Sequence, residues 1–145
     1  MRRVFADANV LIAGAGSRSG ASRAVLMLAE VGLFKLVVCR QVLDEAERNI
    51  RHKLPNALKV FAELMAVLAL EIIEDPEPAA WQGWQDIIET KDAPILAAAV
   101  SAQVDRLLTL NTKDFTTEVA TQSGLVIQTP AQFIVELRDL VTTEL

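Results

Sequence analysis

The chain has 145 residues, 52% of them apolar, with one cysteine and a formal net charge of −5. That length and apolar content suffice for a sizeable core without disulfide staples, and one thiol excludes a disulfide framework. The acidic balance argues against non-specific binding along phosphate backbones, although two divalent cations held by carboxylates would carry +4 and bring −5 to −1.

The N-terminal MRRVFAD is basic at its start, but Asp7 and Asn9 interrupt any apolar region, so no secretory leader is expected. The densest apolar stretch, Leu64 to Ile73, contains Glu71 and is shorter than the roughly 18 residues of a membrane span, so a cytoplasmic protein without membrane contact is expected. Arg3 to Asp7 reads as a first strand that delivers Asp7 at its end, followed by Asn9 and the apolar segment Val10 to Ala13. Gly14 to Gly20 is glycine-rich, but neither the GK[ST] nor the GxGxxG pattern of a phosphate loop is present. It reads as a connection ending in Ser22, the expected N-cap of a helix over Arg23 to Val31.

Lys35 to Cys39 is the second strand, with Cys39 expected to be a buried structural thiol. Gln41 to Lys53 is the next helix, with Val42, Leu43, Ala46 and Ile50 on its apolar face and Glu45 at that face's edge. Glu45, Asn49 and His52 share a flank, so Glu45 can aim at the strand ends or can simply be solvated. A helical pattern runs from Leu54 to about Leu70, and Glu71 to Glu74 forms a third strand. After the breaker Asp75 to Pro78, a short helix over Ala79 to Ile88 carries Trp81 and Trp84, an apolar edge or partner contact rather than a base-stacking platform.

Asp92 stands where the following helix begins, positioned to accept free backbone N–H groups, with Pro94 in the first turn and small residues through Ala102. Leu107 to Leu110 is the fourth strand, ending in Asn111, Thr112, Lys113 and Asp114. Gly124 to Gln128 is the fifth, and Thr129 with Pro130 opens a last helix whose apolar side is Phe133, Ile134, Leu137, Leu140 and Val141. Strands alternating with helices predict an α/β fold with a parallel sheet covered on both faces. No repeat or linker divides the chain, which is expected to be one domain over residues 1–145.

Asp7, Glu45, Asp92 and Asp114 therefore come from four segments to one sheet edge, where open α/β sheets place their ligands. Converging carboxylates need a cation or raised pKa values. Oxygen donors without a His or Cys cluster point to Mg²⁺ or Mn²⁺ rather than zinc, and such ions suit phosphodiester hydrolysis. Asp114 can alternatively serve only the turn before Phe115. The basic residues nearest in sequence to these acids are Arg18, Arg23, Arg48, Lys91 and Lys113, expected to position phosphates.

DANVLI at Asp7 to Ile12, the Glu45 helix, KDAPILAAA at Lys91 to Ala99 and TLNTKDF at Thr109 to Phe115 resemble the PIN domain, in particular its VapC-like toxin components. The resemblance covers nearly the whole chain. It implies a three-layer α/β/α sandwich, a Mg²⁺- or Mn²⁺-dependent ribonuclease, and a homodimer neutralised by an antitoxin. It also implies Asp7, Glu45 and Asp92 as metal ligands, Asn9 as the residue orienting Asp7, and Thr109 as a supporting residue. The family's usual fourth acid, after the strand-four threonine, aligns with Asn111. Two rival readings are a non-catalytic PIN-like module binding an ion or a partner, and a receiver-like phosphoacceptor using an aspartate such as Asp75.

Overall fold

The computed structural model describes residues 1–144. Five parallel strands, β1 (Arg3–Ala6), β2 (Lys35–Cys39), β3 (Glu71–Ile73), β4 (Arg106–Leu108) and β5 (Ile127–Gln128), form one sheet in the order β3-β2-β1-β4-β5. The central β1 pairs Phe5 with Val37 on one side and with Leu107 on the other. All three are fully buried, as expected of strands covered on both faces. The result is the parallel sheet covered on both faces that the alternating pattern predicts, and the three-layer α/β/α sandwich that the resemblance implies.

Helices α1 (Ala8–Gly16), α2 (Ala21–Glu30), α3 (Arg40–Lys53) and α4 (Leu58–Val67) pack mutually through α1, while α6 (Ala93–Ala102) packs against the short α5 (Pro78–Trp81). α7 (Thr117–Ser123) precedes β5, and α8 (Pro130–Glu144) lies on α2. Phe34 and Phe133 meet edge to face at 5.1 Å, joining α8 to the core. Cys39 is buried as expected, and burial pushes its thiol up to about 12, so it stays protonated and inert.

Several sequence expectations change. Gly14 and Gly16 belong to α1, and Ser22 is not a cap but a buried residue inside α2, whose N-cap is Gly20. An added Cβ on Gly14 would sit 2.5 Å from Leu26 Cδ1, so the glycine serves the close crossing of α1 and α2. β4 stops at Leu108, leaving Leu110 exposed, and β5 is shorter than Gly124 to Gln128. The helix expected from Ala79 is split into α5 and a 3-10 segment, Gln82–Asp86. α7 was not anticipated, because its sequence TEVATQS buries only Val119 and shows no apolar stripe. Its ends are nonetheless marked, by Thr116 Oγ1 accepting from Val119 N and by Gly124 in the left-handed conformation at φ 75°. On α8, Thr129 and Gln132 cap reciprocally, but Leu140 and Val141 are exposed rather than part of a buried face.

β1 is the point where the strand order reverses: the chain leaves it toward β2 and β3, then returns on its other side as β4 and β5. The carboxyl ends of β1 and β4 therefore flank the crevice in which such sheets bind ligands. No helix among the described residues is long and apolar enough to cross a membrane.

Candidate functional site

Asp7 follows β1 directly and is the N-cap of α1, its Oδ1 accepting from Ala8 N at 2.8 Å. Its Oδ2 accepts from Thr109 Oγ1 at 2.8 Å and from Asn9 Nδ2 at 3.2 Å. Thr109, fully buried after β4, also accepts from Asn111 N at 3.0 Å, while Asn9 Oδ1 accepts from Leu110 N at 2.9 Å. These bonds tie the ends of the two strands together and fix one carboxylate in one orientation. Burial raises the pKa of Asp7 above the usual carboxylate value, and the hydrogen bonds from Thr109, Ala8 and Asn9 oppose that rise.

Asp92 departs from the expectation that its carboxylate caps α6. It occupies the cap position, but its backbone is already helical and its side chain accepts no cap bond. The reason lies in the preceding turn. Glu89 O accepts from Asp92 N and Ala93 N, Pro94 has no N–H, and Asp92 O accepts from Ile95 N and Leu96 N. The backbone therefore satisfies the first donors of the helix, and nothing is left for the side chain to cap. Asp92 is buried, and its Oδ2 has no hydrogen-bond partner among the described residues. Burial, then the adjacent Asp114 carboxylate, push its pKa up to about 7.

Asp114 is fixed by a reciprocal pair of bonds with Asn111: Asn111 Nδ2 donates to Asp114 Oδ2 at 3.0 Å, and Asp114 N donates to Asn111 Oδ1 at 3.2 Å. The bonds from Asn111 hold its pKa below the usual range, and Lys91 Nζ, 3.6 Å from Oδ2, acts in the same direction. Glu45, half-buried on α3, has its pKa raised by burial and by the charge of Asp7. Asp7, Glu45, Asp92 and Asp114 line one pocket of about 480 Å³, together with Asn9, Asn111, Lys91 and Lys113. Glu89 and Asn49 line it too. Neither was among the sequence candidates, although Glu89 lies three residues before Asp92 and Asn49 one turn after Glu45.

The basic residues divide. Lys91 and Lys113 are at the pocket, and the charge of Arg48 is felt by Glu45. Arg18 and Arg23 are elsewhere, in a groove of about 700 Å³ between α1 and α4, where Arg23 donates to the carbonyls of Gly14 and Ala15 at the end of α1. That groove is the larger, but Glu63 is its one acid among the described residues, so it offers no convergence of carboxylates. Asp75 does not line the acidic pocket; its Oδ1 accepts from Gln41 N at 2.8 Å and serves the start of α3. Trp81 and Trp84 are both half-buried against the core.

Residues 3–113 match the family model of the PIN domain. The chain belongs to the PIN-domain family. Among solved structures, it resembles a VapBC complex from Rickettsia felis bound to a promoter DNA fragment, at 15% identity and TM-score 0.64, over 88% of this chain and 98% of that one. It is also similar to a toxin-antitoxin complex from Klebsiella pneumoniae, at 19% identity and TM-score 0.65, over 88% of this chain and 97% of that one. A Mycobacterium tuberculosis VapC toxin that cleaves the sarcin-ricin loop aligns at 14% identity and TM-score 0.50, over 72% of this chain and 86% of that one. No curated protein matches the chain. At these identities the structural likeness speaks to the fold, and the sequence match carries the family. In this PIN domain the acidic pocket falls at the reversal of strand order, and the family match removes the receiver-like reading.

Proposed function

We propose that this PIN domain, acting as a single domain over residues 1–145, is a Mg²⁺- or Mn²⁺-dependent endoribonuclease and the toxin component of a toxin-antitoxin pair. The observation that carries the reading is the buried Asp92 carboxylate, with Oδ2 unpartnered, in a pocket that also contains Asp7, Glu45 and Asp114. A buried, unpaired carboxylate oxygen is costly unless it is protonated or meets a cation. The donor set is all oxygen, which fits a hard divalent ion, with Asp7, Glu45, Asp92 and Asp114 as the residues that would hold it. Such an ion supplies Lewis acidity toward a phosphoryl oxygen and lowers the pKa of water.

The chain's own residues divide the remaining work. Thr109 and Asn9 orient Asp7, so its carboxylate needs no rearrangement when substrate arrives. Asn111 orients Asp114 in the same way. Lys91 and Lys113, exposed at the pocket, are suited to neutralise and position the RNA backbone, a role in which point charges are sufficient. Arg48 contributes at the Glu45 side. Arg18 and Arg23 line the other groove, so their nearness in sequence to the acids does not make them substrate contacts.

The neutralising partner is an antitoxin protein, a reading supported by the likeness to two toxin-antitoxin complexes. Self-association as a homodimer is supported by apolar side chains left exposed on α8, Val135, Leu140 and Val141, and is read by light scattering.

The test is cleavage of a structured RNA with Mn²⁺, with and without chelator, by the parent and by Asp92→Asn. Stabilisation of developing charge by such an ion amounts to several kcal/mol, so the variant is expected to lose roughly a hundredfold or more in rate. Cleavage that survives chelator, or an Asp92→Asn variant as active as the parent, rejects the proposal.

A further inference from the structure

Three carboxylates at one end of the pocket lie closer together than the rest. Oxygens of Glu89, Asp92 and Asp114 are all within 4.8 Å of one another. Two oxygens that each stand about 2.0–2.6 Å from a common ion are at most roughly 5 Å apart, so this spacing admits one shared cation. Asp7 and Glu45 are not in that set.

The three side chains are brought together by backbone, not by chance exposure. The carbonyl of Glu89 accepts from Asp92 N at 2.9 Å and Ala93 N at 3.0 Å, so residues 89 and 92 leave a single closed turn. Asp114 is pinned by Asn111 after β4. An independent observation points to a ligand: Asp92 lines the pocket yet is only 9% exposed, and its buried Oδ2 has no donor among the described residues. Lys91 and Lys113 both line the pocket, but both are exposed, the Lys91 side chain to 67%, and two positive charges do not balance three carboxylates.

We infer that Glu89, Asp92 and Asp114 form a divalent-cation subsite, with Glu89 as a metal ligand additional to the four acids of the proposed nuclease centre. The inference rests on that reading of the pocket and extends it to a residue outside the sequence motifs. It also bears on Asn111, which offers only a neutral oxygen where a fourth family acid is expected. Glu89, carried by the turn before α6, brings to the same cluster a negative charge that Asn111 does not supply.

The experiment is calorimetric titration of the full chain with MnCl₂ alone, in the absence of RNA, for the parent, Glu89→Gln and Glu118→Gln. Glu118 is an exposed acid bonded to Gln122 that removes the same charge from a neighbouring position without belonging to the cluster. The expected result is a loss of about tenfold or more in Mn²⁺ affinity for Glu89→Gln, and an isotherm within about twofold of the parent for Glu118→Gln. Equal isotherms for Glu89→Gln and the parent overturn the inference, as do equal losses in both variants or a parent that binds no Mn²⁺. RNA cleavage is measured separately. Mn²⁺ binding that depends on Glu89 in a protein that cleaves no RNA upholds this subsite and removes the nuclease reading, and Mn²⁺-dependent cleavage with binding indifferent to Glu89 does the reverse.

Discussion

Asp92 stands at the first turn of α6 yet caps nothing, and that single fact separates its two possible roles. A capping aspartate is replaceable by asparagine at little cost, whereas a buried carboxylate held for a cation is not. In metal-free protein the sign of its effect on stability can be stated. Its folded pKa is raised from 3.8 to about 7, so the stability it contributes is complete below 3.8 and is lost as pH climbs toward 7. Asp92→Asn, neutral at every pH, is therefore expected to melt above the parent at pH 8 in EDTA, with the two curves converging near pH 4. A parent-to-variant difference that does not change with pH refutes this account of Asp92. Asn111 invites the opposite experiment. Its amide donates to Asp114, so Asn111→Asp replaces a hydrogen bond by two carboxylates in contact. The variant is expected to melt lower than the parent without metal, and a higher melting temperature would show that Asp114 does not depend on its neighbour.

At the scale of elements, α1 and α6 do the positioning, each by close approach to what surrounds it. The α1–α2 crossing depends on Gly14, against which Leu26 packs with no exposure. Gly14→Ala gains up to about 1 kcal/mol of helix propensity but forces an overlap that typically costs about 1–3 kcal/mol in a packed core. The overlap should win, giving a net loss of about 1 kcal/mol or more in urea denaturation. A more stable variant would mean that α2 yields easily and that the glycine serves another purpose. α6 works through Ala97, Ala98 and Ala99, all buried, which let it lie deep enough for Asp92 to reach the same pocket as Asp7. The loop after β4 completes the arrangement: Phe115 N donates to Asn111 O at 3.0 Å, closing the turn that presents Asp114.

At the scale of the molecule, an acidic protein is proposed to bind a polyanion, and the placement of its lysines makes that testable. Lys91 and Lys113 are at the pocket while Arg18 and Arg23 line a separate groove. Lys91→Glu with Lys113→Glu is expected to weaken RNA binding and flatten its dependence on salt by up to about two phosphate contacts. Arg18→Glu should leave both unchanged. A salt slope indifferent to the lysines but sensitive to Arg18 would move the RNA path to the larger groove.

What the sequence determined by itself is whatever depends on neighbours a few residues apart. Alternating apolar runs and helical periods specified the parallel α/β sheet, and β2 over Lys35 to Cys39 was legible to the residue because its burial is nearly continuous. Asp7 at the end of β1 and Asp114 in a turn after β4 were legible for the same reason, since strand ends and Asn/Asp turns carry local signals. What those signals could not convey is how groups distant in the chain share space. Ser22 looked like a cap because nothing in the sequence shows that α1 runs on to Gly16, and Arg18 and Arg23 looked near the acids because nearness in sequence is not nearness across a sheet. Glu89 resembled an ordinary exposed glutamate. Only the tertiary approach of the turn before α6 to the loop after β4 brings its oxygens within 4.8 Å of those of Asp92 and Asp114, because charge convergence is set by tertiary distances that local propensity does not encode.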